Sequence, residues 1–144
     1  MPLAQKFFSA SEQELLVKAI EDAEMHTSGE IRIHVENFCF GNEIRTAQKR
    51  FSKLGMHKTA ERNGILIYIA SMSKKIAVFG DEGIHSKLGK DYWDSIIKQI
   101  IDGFHQHKKA EALANAIIDC GKELNHFFPR QANDTNELSN SISF

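Results

Sequence analysis

The sequence predicts an α/β domain, a three-layer α/β/α sandwich around a small mixed sheet, and three observations predict it. Three short β-rich runs, "EIRIHVE", "NGILIYIA" and "KKIAVFG", are interleaved with segments of helical period. The first two runs are joined through an amphipathic helical stretch, which implies a parallel, right-handed crossover. The last two are joined by the few polar residues of "SMSK", a link that permits a hairpin and forbids a parallel crossover.

Each element has its own signal. "SASEQELLVKAIEDAEMHTSGE" places Ser11 and Glu14 at capping-box spacing, then repeats Leu15, Leu16, Ala19, Ile20 and Ala23 on one helical face before Gly29 stops it. In "EIRIHVE", Ile31, Ile33 and Val35 alternate with Glu30, Arg32, His34 and Glu36, predicting a strand with one polar face or an edge position. "NEIRTAQKRFSKLG" aligns Ile44, Ala47, Phe51 and Leu54 on one face and ends at Gly55. "GILIYIA" is continuously apolar, as a central strand is. Two further helices follow, "DYWDSIIKQIIDGFHQ" and "KKAEALANAIIDCGKELNHFF". Residues 1–130 form the predicted domain. Residues 131–144 form a polar C-terminal tail, in which Ile142 and Phe144 are expected to dock on the domain.

Composition bounds the function. The chain has 144 residues, enough for one domain with a core that needs no staples. Its 18 basic and 19 acidic residues leave no basic excess of the kind duplex nucleic acid demands, so no nucleic-acid partner is expected. The two cysteines cannot build a disulfide scaffold, and free thiols suit a reducing compartment. No signal peptide is visible and no apolar run approaches the roughly 20 residues of a membrane span, so a cytoplasmic location is expected.

The predicted topology has a chemical consequence. Parallel strands begin at the same end of a sheet, and an antiparallel third strand finishes there. Glu30, Asn63, Asp81 and Glu82 should therefore share one edge of the fold, with Asp94 of "DYWD" close by, and Cys39 should lie at the opposite end. Carboxylates gathered from separate segments suit a hard cation such as Ca²⁺ or Mg²⁺. The competing explanation is that Asp81 and Asp94 cap helix N-termini.

"TSGEIRIHVE", "KLGMHKTAERNGILIYIA", "KKIAVFGDEGIHSKLGKDYWD" and "NELSNSISF", in that order and spacing, resemble the TPM domain family, named for a thylakoid lumen protein, a photosystem repair factor and a nematode receptor modulator. The resemblance runs from about Ser11 to Phe144. It implies the α/β/α sandwich, Ca²⁺ or Mg²⁺ binding and, for plant relatives, an acid phosphatase activity. Carried over by residue, the family's acidic cluster falls on Asp81 and Asp94, with Glu30 nearby and Glu82 as a further candidate ligand. Arg62 and Asn63, at the same edge, are the candidates for holding phosphate. Many members also carry a secretory signal and a C-terminal membrane helix, and neither is visible here.

Other constellations compete. "CFGNEIRT", from Cys39 to Thr46, fits C-x₅-R-[ST] and resembles the phosphate loop of low-molecular-weight tyrosine phosphatases, but Glu43 would repel a dianion within it. His105 and His107 are two apart and do not share a helical face, so they make no zinc site. No nucleophile or general acid is identifiable at the acidic edge. The expected function is divalent-cation binding with associated phosphomonoester hydrolysis, its partner a phosphorylated small molecule. The alternatives are a non-enzymatic module that recruits a protein, and a Cys39-dependent phosphatase.

Overall fold

The computed structural model describes residues 2–130 and 142–144. After a 3₁₀ turn at Ala4–Lys6 come α1 (Ala10–Glu24), β1 (Glu30–Glu36), α2 (Glu43–Lys53), a second 3₁₀ turn (Met56–Lys58), β2 (Gly64–Ala70), β3 (Lys75–Gly80), α3 (Glu82–His105) and α4 (Lys109–Phe127). The sheet order is β1-β2-β3. β1 and β2 are parallel, with Glu30 opposite Gly64, and β2 and β3 are antiparallel, with Ile65 opposite Gly80. The helical crossover and the tight turn, in which Lys74 takes φ 55°, thus produce the mixed sheet expected from them.

The alternation of each strand sorts its side chains between two helical layers. Ile31, Ile33, Val35, Ile65, Ile67 and Ile69 face α1, α3 and α4, meeting Leu16, Ile20, Ile96, Ile100, Leu113 and Ile117 in the main core. Each such side chain, once buried, contributes about 1.5–3 kcal/mol. Leu66, Tyr68 and Ala70 point the other way, where Ala47 and Phe51 of α2 and Met56 cover them. The three layers are α2, the sheet, and the α1–α3–α4 group.

Two local expectations are corrected, and the edge position expected for β1 is found with its polar face covered. The capping box is Ser9 with Glu12, not Ser11 with Glu14: the Ser9 hydroxyl accepts from Glu12 N–H, and Glu12 accepts from Ser9 N–H. Two overlapping S-x-x-E spacings exist, and Phe7 and Phe8, buried just ahead, select the earlier one. The acidic turn after β3 is already helix. α3 starts at Glu82 and continues through a kink at Gly89 (φ 77°, ψ 172°), beyond which the "DYWD" helix proceeds. The polar face of β1 is buried, with Glu30 at 3%, Arg32 at 9% and His34 at 6% exposure.

β1 is an edge strand whose outward groups are covered by other parts of the chain. Ile31 N–H donates to the Glu24 carboxylate at 2.7 Å. Ser143 pairs parallel to it, donating to Ile33 C=O at 3.0 Å and accepting from Val35 N–H at 2.9 Å. Ile142 packs, partly buried, against the main core, whereas Phe144 remains 44% exposed, so only one of the two expected anchors docks. The remainder of the predicted tail, 131–141, lies outside the described residues.

Candidate functional site

The acidic edge is assembled by close backbone packing. Arg62 sits in a left-handed turn (φ 52°) just before β2, and its carbonyl accepts from Gly83 N–H at 2.8 Å. A Cβ on Gly83 would lie 2.2 Å from the carbonyl oxygen of Glu61, so only glycine lets the first turn of α3 approach this turn. That contact aims the guanidinium at Asp81. Arg62 Nε reaches Oδ2 at 2.7 Å and Nη2 reaches Oδ1 at 2.9 Å, a bidentate pair. Asp81 Oδ1 also accepts from Glu82 N–H at 2.8 Å, so Asp81 is the N-cap of α3. It is 3% exposed, and the Arg62 guanidinium is its counter-charge.

A cleft of about 520 Å³ opens above this pair, between α2, β3 and α3. Asp81, Glu82 and Asp94 all line it, together with Arg62, His85, Lys90 and Trp93. Asp94 lies one turn past the Gly89 kink and is held by Lys90 at 2.7 Å. Trp93 Nε1 donates to His85 Nδ1 at 2.9 Å, which leaves the proton of a neutral His85 on Nε2. His85 was not among the residues singled out from sequence. Its spacing of eight from Trp93 was visible, but the kink between them was not.

Glu30 does not join this cleft. It shares the sheet end with Asp81, but β2 stands between their strands. Its carboxyl lies against that of Glu24, the last residue of α1. Burial, and then the Glu30 charge, push the Glu24 carboxyl up to about 8. The charge of Arg32 lies close to both, and that of Arg130 close to Glu24. The predicted acidic cluster is therefore two groups, and Glu24 is the member that sequence reasoning missed. Its signal was position: four residues after Ile20, it falls on the buried face of α1.

The edge also holds an orphan oxygen. Asn63 is 1% exposed; its backbone N–H donates to Thr59 Oγ1 and its Nδ2 to Ser28 Oγ at 3.1 Å, while Oδ1 has no partner among the described residues. Among those residues, no three His, Cys, Asp or Glu side chains converge in a ready metal cage.

Residues 4–123 match the model of the TPM domain. The chain belongs to the TPM domain family. It resembles BA42 of the psychrophilic bacterium Bizionia argentinensis at 37% identity, covering 95% of this chain and 94% of that one, with a TM-score of 0.86. It shares its fold with the N-terminal domain of a P. gingivalis protein (16% identity, 83% and 77% of the chains, TM-score 0.67). It likewise shares its fold with the N-terminal domain of cg2496 from Corynebacterium glutamicum (12% identity, 96% and 82%, TM-score 0.64). Among curated proteins none matches significantly.

In this TPM domain the Cys39 loop lies at the far end of the sheet, tied to the β2–β3 turn by Cys39 N–H to Ser73 Oγ at 2.9 Å. It forms no phosphate cradle. The amides of Ile44 and Arg45, which would face an anion, donate to Asn42 Oδ1, and Lys75 Nζ is turned onto the carbonyls of Cys39 and Gly41. The Cys39 thiol is buried. No helix among the described residues is long and apolar enough to cross a membrane.

Proposed function

We propose that this TPM domain binds a divalent cation, Ca²⁺ or Mg²⁺, in the cleft lined by Asp81, Glu82 and Asp94. The observation that carries the reading is that three carboxylates from both sides of the Gly89 kink line one cleft. Hard cations take oxygen ligands and keep several waters, so a site of separated carboxylates suits a weakly held, hydrated ion. Arg62 is the competitor. Its side chain is 44% exposed and can swing clear, whereas Asp81 is fixed by the α3 N-terminus. Glu30, engaged with Glu24, is outside this ligand set.

Phosphomonoester hydrolysis is the finer part of the same reading, taken from the family resemblance. A bound cation would supply polarisation of a phosphoryl oxygen and a more acidic water. Arg62, released from Asp81, is the group placed to hold phosphate, and His85 the group placed to exchange a proton at Nε2. Asn63, buried behind the strand, is not exposed enough to serve. A cytoplasmic location belongs to the same reading.

The test is a Ca²⁺ and Mg²⁺ titration followed by amide shifts and by melting temperature. A cation at about 100 times its Kd stabilises by about 2.7 kcal/mol, which raises the melting temperature of a domain this size by several degrees. Asp81→Asn and Asp94→Asn should each remove most of that shift, and Asp119→Asn, on α4, should not. Arg62→Ala should tighten cation binding by removing the competing charge. No shift in the wild type at millimolar metal would leave Asp81 as a helix cap and nothing more. Turnover of p-nitrophenyl phosphate that follows metal occupancy would separate an enzyme from a cation-ordered recruiting module.

A further inference from the structure

The two edges of the sheet are finished differently. On β1 the outward groups of Ile31, Ile33 and Val35 are taken by Glu24 and Ser143. On β3 no described residue takes the outward groups. The bond from Asp81 N–H to Gly64 C=O fixes the phase of the antiparallel ladder, because bonded and non-bonded pairs alternate. Phe79 and Ala77 exchange bonds with β2. Ile76, Val78 and Gly80 aim their N–H and C=O groups outward and have no backbone partner there among the described residues. Proteins usually guard such an edge with proline, charge or a covering segment. "KIAVFG" has no proline, and its single charge, Lys75, is turned onto the loop carbonyls of Cys39 and Gly41.

This open edge lies between two apolar walls. α3 runs back along β3, with the Trp93 ring against Gly80 and with Ile97 and Ile101 following at one-turn intervals. Ile44 of α2 stands opposite. Ile44 and Ile101 are 52% and 37% exposed, so these walls are presented to solvent. The cleft at the Gly80 end is about 520 Å³, and a second of about 570 Å³ lies at the Lys75 end. Their charges differ. Asp81, Glu82 and Asp94 outnumber Arg62 and Lys90 at the first, whereas Lys74 and Lys109, with His105 and His107, face only Glu12 at the second.

We propose that the β3 edge is the docking site for an extended peptide that adds antiparallel as a fourth strand. Unpaired backbone groups at two-residue intervals are satisfied by an added extended strand, and the flanking apolar walls accept its alternate side chains. Antiparallel pairing places the ligand's N-terminal end beside Asp81, Glu82 and Asp94, and its C-terminal end beside Lys74 and Lys109. The preferred ligand is thus basic at its start, apolar at alternate positions and acidic at its end. This recognition needs no cation, so its test is run in chelator and stands apart from the cation reading.

The probe is a labelled peptide of sequence Lys-Val-Thr-Val-Thr-Val-Glu, titrated into the full chain. Expected are saturable binding and slowed hydrogen exchange at the Ile76 and Val78 amides. N-methylation of the peptide residues that face β3 should weaken binding about tenfold or more, the scale of a lost hydrogen bond. Methylation of the residues between them should not. A peptide with Lys and Glu exchanged should bind more weakly at low salt, and Ile101→Asp should weaken the original peptide. The proposal fails if both methylation phases act alike, or if no binding occurs at about 1 mM. It also fails if the same amides are already protected without peptide in a concentration-dependent dimer, since the occupant is then a second copy.

Discussion

Glu24, buried beside β1, and Glu36, partly buried at the end of β1, are carboxylates whose surroundings drive them in opposite directions. For Glu24, burial and the neighbouring Glu30 charge outweigh the Ile31 N–H bond and push its carboxyl from 4.5 up to about 8. For Glu36, burial also acts upward, but hydrogen bonds from Arg50, Tyr68 and His34 together exceed it, and the net shift is downward. His34 is held neutral by burial, with its Nε2 3.1 Å from Glu36 and its Nδ1 2.8 Å from the Ser143 hydroxyl. The signs set the pH profile. A raised carboxyl favours folding fully below 4.5 and loses that contribution as pH rises towards about 8, because only the folded state then holds the proton. The lowered Glu36 contributes above the ordinary carboxyl range and loses its contribution on acidification. Glu24→Gln keeps an acceptor for Ile31 N–H while removing the titration. Read by melting temperature between about pH 5 and 8, it should lack the loss of stability, on the order of a few kcal/mol, that the raised Glu24 carboxyl imposes on the wild type as pH rises. Parallel profiles for the two proteins would show that Glu24 does not titrate in that window.

At the scale of elements, α3 depends on two glycines for different reasons. Gly89 carries the kink at φ 77° and ψ 172°, a conformation close to glycine-only, yet a Cβ there would meet nothing within 4 Å. Gly83→Ala instead collides with the Arg62 turn. Gly89→Ala should therefore cost about 1–3 kcal/mol from backbone strain alone. Denaturant unfolding would read that loss, with an unchanged slope. If the strain is relieved by straightening the helix, Asp94 moves away from Asp81 and the cation-dependent melting shift falls with it. Gly83→Ala should displace Arg62 from Asp81 and disturb the amide shifts of Glu82 to His85, a signature that Gly89→Ala lacks. In the sequence the start of α3 is disguised by Gly80, Gly83 and Gly89, since glycine usually punctuates a turn. Two of these glycines serve close approach, to Trp93 and to the Arg62 turn, and neither ends a helix.

For the whole molecule, residues 142–144 complete the cover that Glu24 begins on the outer edge of β1. Deleting 142–144 removes two backbone hydrogen bonds, the Ser143 contact to His34 and the packing of Ile142. A cost of about 1–3 kcal/mol is expected, or roughly 3–4 °C in melting temperature for each kcal/mol at this chain length. Hydrogen exchange should accelerate at Val35 ahead of the rest of β1. An unchanged melt together with unchanged Val35 exchange would mean that Ser143 merely rests on the edge.

The order of helices and strands, the parallel and antiparallel pairings and the three-layer arrangement could be read from sequence, though not the start of α3 at Glu82. They follow from spacing between near neighbours and from the length of each connection, which are local quantities. So could the gathering of Glu30, Asn63 and Asp81 at one sheet end, and the placing of Cys39 at the other, because strand direction alone decides them. Which carboxylates meet could not be read. Glu30 and Asp81 share an end, yet β2 separates their strands, and each took a partner of its own, Glu24 from α1 and Arg62 from the turn before β2. The burial of the polar face of β1, the sealing of one sheet edge by Ser143 and the openness of the other were equally unreadable. Those outcomes depend on how segments distant in the chain pack to within a few ångströms, where desolvation and hydrogen-bond geometry, not periodicity, choose each charge's partner.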